Sequence, residues 1–246
     1  MTDEYRLVGM KRLSNLESSR ILNNRMLFNR QNGVLLLSEL ILAFNCLIGD
    51  YFIFDSMTII GFVNQKTGMS ERLVRAIMDN SSHSLIGMLS WFIASYPSRV
   101  DLNEMLASGF LASIIDLDHF VSAKSIRLVD AVSLSNRPFM HNSLSLLLAN
   151  SVAFLAAFYA APNRVRVCWL VFVAWFSHHV RDANRRGLWF GFLGSTRPLS
   201  DAFYMGIVLA LPLLVRFVLV DSGVGGSLRN YSLLNDTNLK RDVHVV

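Results

Sequence analysis

The sequence predicts an all-α protein, a multi-pass transmembrane helical bundle of about six helices, and three observations predict it. Of the 246 residues, 52% are hydrophobic and 17% charged, with a mean hydropathy of +0.40, which is too apolar for an ordinary soluble domain. Apolar stretches recur at close to the ~20 residues that a helix needs to cross ~30 Å of hydrocarbon. The side chains able to bind metal or move protons collect near alternating ends of those stretches.

Residues 1–32 form a basic tail with no continuous apolar run, which argues against a cleaved secretory signal. Leu7, Met10, Leu13, Leu16, Ile21 and Met26 recur at loosely helical spacing among Arg6, Lys11, Arg12, Arg20 and Arg25. That pattern fits either a basic amphipathic helix lying on anionic lipid or a solvated tail. The transmembrane domain spans 33–220, with apolar segments at 33–54, 83–96, 104–120, 141–160, 165–180 and 203–220. The second, third and fifth are short. The second gains length if a helix starts after Ser70, a good N-cap, and runs through Leu73, Val74, Ile77 and Met78, which places His83 inside a long helix. Gly223, Gly225 and Gly226 mark the exit from the last segment, and 221–246 is expected to be a polar, mobile tail.

The basic N-terminal tail favours a cytosolic N-terminus, and six crossings return the C-terminus to the same side. A formal charge of +5 without zinc-finger spacing or aromatic–basic interleaving excludes nucleic acid as the expected partner. The lipid bilayer and its anionic headgroups are the expected partners instead. Cys46 and Cys168 lack CxxC spacing and read as small packing residues.

In a chain that crosses a bilayer repeatedly, the end of one span, the start of the next and the end of the one after share a membrane face. Asp50, His83, the Asp116-Leu117-Asp118-His119 run, His141, His178 and Asp182 all fall at such positions. On a helix Gly109, Ala112, Asp116 and His119 share a face, so small residues permit close packing beneath a carboxylate and an imidazole. His178 and Asp182 stand one turn apart, as two ligands of one ion do. His179 points elsewhere. Ionisable groups at membrane depth cost roughly 2.5 to 3.5 kcal/mol each, which demands partners. Capping in the headgroup region is the bland alternative.

Several His and Asp together exceed the needs of one structural zinc. Either two ions bind, or one binds while a spare Asp or His acts as general base on water. Mixed imidazole and carboxylate ligation suits a divalent metal such as Zn, Mn or Fe. Arg137, Arg181, Arg185 and Arg186 lie beside this set, either as clamps for a phosphate or carboxylate or as interfacial arginines facing lipid headgroups.

The blocks His83 to Met88 with Ser90-Trp91, Ala107 to Phe120, Arg137 to His141, Ser177 to Asp182, Gly187-Leu188-Trp189 and Pro198-Leu199 resemble the animal multi-pass family called transmembrane protein 267. More distantly, the order of His, DxDH, HRxxxH and HxxxD resembles the bacterial YdjM-like membrane-bound proteins, taken to be metal-dependent hydrolases. The resemblance implies metal ligation by His83, Asp116, His119, His141, His178 and Asp182. It also implies a departure, because Asn136 stands where the first His of HRxxxH would be. The expected function is therefore metal-dependent hydrolysis of an ester or phosphoester in a lipid or other anionic membrane-associated substrate. Asp118 or His179 would serve as base or as support for the ligands, and Arg137 or Arg181 would steady the anion. The alternatives are a non-catalytic structural protein, which Asn136 favours, and an ion- or proton-translocating protein, for which Glu39 within the first span is the relevant feature.

Overall fold

The computed structural model describes residues 28–50, 70–97, 100–160 and 164–221, together with Met26, Gly61 and Gln65. The expectations for most of the basic tail and for the polar stretch after the last helix fall outside the described residues. Two units divide the chain, one up to Leu40 and one from Ile41 onward. Every residue expected to hold a metal or take part in hydrolysis belongs to the second.

Among the described residues the chain forms helices and no strands. The first, α1, covers Phe28–Asp50, starting ahead of the expected apolar segment. Ser70 caps α2 (Glu71–Ser95) by accepting from Leu73 N, and Glu71 faces the positive end of the helix dipole. His83 therefore sits mid-helix, as the Ser70 cap requires. Asp101 caps α3 (Leu102–Ile114), which tightens into a 3₁₀ turn at Ile115–Leu117 and resumes as α4 (Asp118–Ala123). Lys124, with a left-handed backbone, ends α4, and the short α5 (Leu128–Val132) folds back beside it. A 3₁₀ turn at Phe139–His141 leads into α6 (Ser143–Ala160). Next come α7 (Val165–Arg186) and α8 (Asp201–Arg216), the latter capped by Ser200 and running on into a wider turn at Phe217–Asp221.

Among the described residues four stretches are long and apolar enough to cross a membrane: Phe28–Asp50, Leu102–Ala123, Ser143–Ala160 and Asp201–Leu219. At 25 and 22 residues, α2 and α7 have the length, about 37 and 33 Å at ~1.5 Å per residue. They fall short on composition, because α2 carries Asp79 and His83 and α7 carries His178, His179, Arg181 and Asp182. Position explains why such polar helices are tolerated. α7 packs against α2, α3, α6 and α8, and the segment from Ser177 to Arg181 is buried throughout.

Helices in lipid associate by close van der Waals fit and interhelical hydrogen bonds, since hydrocarbon is as apolar as leucine. The α2–α3 pair shows both. A Cβ at Gly87 would lie 2.8 Å from Ala112 Cβ and 2.9 Å from Ser108 O, and one at Gly109 would lie 2.9 Å from Ser84 O. Ser108 Oγ donates to Gly87 O across the same contact at 2.9 Å. At the end of the bundle away from His83, Glu104 accepts from Trp91 Nε1 and from Arg166, whose guanidinium lies 5.0 Å above the Trp91 ring. Arg216 donates there to Tyr96 O. Trp91, Leu170, Val173, Leu211 and Val215 fill the apolar core between these clamps and the polar end.

Candidate metal centre

Three local features build the polar end. The 3₁₀ turn after α3 carries Asp116, and α4 then presents Asp118 and His119 within its first turn. Pro138 enters the next 3₁₀ turn in extended form and sets His141 just ahead of α6. Gly187 ends α7 at φ +72°, and a Cβ there would lie 2.1 Å from Thr196 O, so only glycine allows the following loop to fold back. That loop is tied to α6 by Ser143 N donating to Trp189 O at 2.7 Å.

His141 is the hub. Its Nε2 lies 3.4 Å from Asp116 Oδ1, 3.3 Å from Asp182 Oδ2 and 3.3 Å from His178 Nε2. His178 Nε2 lies 3.6 Å from Asp116 Oδ1 and 3.7 Å from Asp182 Oδ2. Bonds of about 2.0–2.2 Å in tetrahedral arrangement put neighbouring donor atoms about 3.3–3.6 Å apart, close to the 3.3–3.7 Å between the two ring nitrogens and from each of them to the two carboxylates. A second group, Asp116, His119 and His141, also brings one donor atom from each residue within 4.8 Å of the others.

Hydrogen bonds on the far sides of the rings indicate which nitrogens are bare. His178 Nδ1 meets Ala112 O at 2.8 Å, and a carbonyl only accepts, so Nδ1 carries a proton and, in the neutral ring, Nε2 keeps its lone pair. His119 is set the same way by Ala131 O at 3.1 Å. His141 Nδ1 faces the carboxylate of Asp118 at 3.3 Å, and Met140 N donates to that carboxylate at 2.7 Å. Two lone-pair nitrogens and two carboxylate oxygens therefore converge, an arrangement of acceptors that needs a cation or proton among them. The residues present fit a divalent ion, with orienting partners behind the rings of the kind that metal-bound histidines have.

A third group joins His83 to Asp116 and His178, again with one donor atom each within 4.8 Å of the others, while His179 and Arg181 take other places. His179 bonds with Met140 O at 2.9 Å through Nε2 and with Ser143 Oγ at 3.0 Å through Nδ1, so both its nitrogens hold the segment that carries His141. The His83 ring stacks on His178 with centroids 3.8 Å apart. Its Nε2 lies 3.4 Å from Asp182 Oδ1 and accepts from Arg181 Nη1 at 3.1 Å. The fully buried Arg181 also donates to Asp79 at 2.5 Å and to Asp50 at 3.2 Å. Arg185 holds Asp79 from the other side at 2.6 Å. The sequence reading passed over Asp79. The available signal was its place four residues before His83, on one face of a helix.

Arg137 caps the C-terminal end of α7, donating to the carbonyls of Arg186 and Gly187. A polar chamber of about 90 Å³ is bounded by Asp116, His119, His141, Asp182, Arg137 and Arg186, among others. A larger and mostly apolar cavity of about 330 Å³ adjoins it, sharing Asp79, Asp116, His119 and Arg186 as a common wall. Asn136 is exposed and lines that second cavity together with Asp116 and His119.

Fold and site together define an integral membrane protein whose helices bring a His and Asp cluster, able to hold a metal, to one end of a bundle. Residues 78–221, more than half of the chain, match the model of the YdjM inner membrane protein family, and the chain belongs to that family. Among individual proteins it is 40% identical to transmembrane protein 267 of Mus musculus over 153 residues, which is 61% of this chain and 71% of that one. With the same coverage it is 39% identical to transmembrane protein 267 of Bos taurus and 38% identical to that of Xenopus laevis. No solved structure matches the chain at a significant level.

Proposed function

We propose that the protein is a metal-dependent hydrolase acting on an ester or phosphoester of a lipid or another anionic membrane-associated substrate. The observation that carries this reading is that His141 Nε2 and His178 Nε2 each lie 3.3–3.7 Å from carboxylate oxygens of Asp116 and Asp182, with His141, Asp116 and Asp182 lining a polar chamber. A divalent ion, zinc or manganese by its donors, would polarise the ester and lower the pKa of water there. Hydrolysis adds the water oxygen to the acyl carbon or phosphorus, breaks the bond to the ester oxygen, and sends the departing alcohol off with a proton. His119, whose Nδ1 meets Ala131 O and which has a donor atom within 4.8 Å of Asp116 and His141, is the group we assign to take the proton from water. Asp118 and His179 act as positioning residues for His141, and Arg181 positions His83. Arg137 and Arg186 supply positive charge at the chamber for the substrate anion. The same reading makes the basic stretch 1–32 a cytosolic contact for anionic headgroups.

The test is the metal content of detergent-purified protein. Wild type is expected to carry stoichiometric zinc or manganese, and Asp116→Ala and His178→Ala to lose it while staying helical. Wild type free of metal after gentle purification would overturn the reading. A second reading, a non-catalytic structural protein, draws on the buried Arg181 network that ties α1, α2 and α7 together. It predicts bound metal whose removal melts the bundle, and no turnover of lipid phosphates or acyl esters.

A further inference from the structure

We infer that the apolar cavity beside the His and Asp cluster receives the aliphatic chain of an anionic, single-chain-accessible amphiphile, with its charged head in the neighbouring polar chamber. This deepens the hydrolase reading and rests on it for the reaction, though not for the binding. The cavity's apolar walls come from Leu73 and Ile77 of α2, Leu117 and Phe120 around the start of α4, and Leu128 and Val132 of α5. At about 330 Å³ it falls within the roughly 300–1,000 Å³ of ordinary ligand pockets. Its polar residues are concentrated at the shared wall, where Asp116, His119 and the exposed Arg186 also face the polar chamber. An amphiphile laid across that wall presents its ester beside the donor cluster, its anionic head near Arg186 and its tail among the aliphatic side chains.

A second observation points to lipid as the source. The α4–α5 hairpin that forms the outer wall turns Val121 and Ile126 outward, 65% and 95% exposed. Phe192, on the loop after α7, is 90% exposed. Large apolar side chains left outside at the end of a membrane bundle belong in the acyl and headgroup boundary. A cavity walled by such a hairpin is reached from the bilayer.

The experiment uses the full-length protein in phosphatidylcholine vesicles and hexadecyl phosphate carrying a mid-chain diazirine, which has no ester to hydrolyse. Photolabelling is expected at the α2 and α5 cavity residues, competed by excess hexadecyl phosphate and not by inorganic phosphate. Ala76→Trp and Val132→Trp each intrude on the cavity, and each should cut this labelling about tenfold with melting temperature and metal content unchanged. Two variants on different helices guard against misfolding of either one. Labels confined to the outward-facing Leu148, Val152 and Leu155 of α6 would overturn the inference, as would labelling unchanged in both variants or equal competition by inorganic phosphate. Cavity labelling in a protein without metal or turnover sinks the hydrolase and leaves the cavity assignment standing. Metal and short-chain turnover without cavity labelling does the reverse.

Discussion

Asp118 is nearly completely buried, and its carboxylate is held by Met140 N while it faces His141 Nδ1. A carboxylate so placed fixes the tautomer and direction of the ring behind which it sits, so Asp118→Asn should weaken metal binding about 10–100-fold. Metal titration of the purified variant checks this, with unchanged helical content as the control for folding. Arg181 makes the opposite kind of demand, because its charge is buried among Asp50, Asp79 and His83 and its Nε has no hydrogen-bond partner among the described residues. Replacing Asp79 by Ala strips one carboxylate from a buried guanidinium, and the loss should be about 3–5 kcal/mol in an unfolding titration in detergent. Asp116, His141, His178 and Asp182 were legible in the sequence because they are metal-ligating types at the ends of apolar segments. The Arg181 network was not, since its partners lie 102 and 131 residues away and no local pattern joins them. His179, read in sequence as base or as support for the ligands, makes the hydrogen bonds of a support for the His141 segment, and Arg181, read as an anion clamp, is engaged by Asp50, Asp79 and His83.

At the level of elements, the site depends on how closely α2 and α3 approach. Ala112 supplies both the surface against Gly87 and the carbonyl that orients His178. Gly87→Val must push α3 away, since even a single Cβ would crowd the Ser108 carbonyl at 2.9 Å. We expect a loss of about 1–3 kcal/mol from overpacking together with reduced metal content, read by thermal unfolding and elemental analysis of one preparation. Gly33→Val, where an added Cβ meets nothing within 4 Å, should leave metal content as it is. The start of α2 was legible because Ser70 is a local signal, and the small-residue face of Gly109 and Ala112 because helical spacing alone defines it. The winding change at Ile115–Leu117 left no mark in the residue pattern, since Asp116 and His119 share a face on a regular helix as well. The polarity of α2 and α7 reflects their packing among other helices, a property of neighbours that hydropathy along one segment does not record.

For the bundle from Ile41 onward, the governing fact is alternation. α1 and α3 finish at the polar end, α2 and α6 begin there, α7 finishes there, and α8 begins there through Asn184 donating to Asp201 at 2.7 Å. The opposite end is marked independently by the Glu104–Arg166–Trp91 clamp and by Arg216 on Tyr96 O. Parity along the sequence anticipated this gathering because a helix in a bilayer has only two ends to offer each side chain. It leads to a topological prediction that needs no metal and no substrate. Cysteines placed at Ile126 and Phe192, both at the polar end, should react with an impermeant maleimide from the same side of sealed vesicles. A cysteine at Tyr159, 80% exposed at the far end of α6, should react only from the other side. The native Cys46 and Cys168 are buried, so background labelling should be low before detergent is added. If Ile126→Cys and Phe192→Cys label from opposite sides, the donors cannot share one membrane face, and the metal site, the chamber and the aliphatic cavity lose their common geometry together.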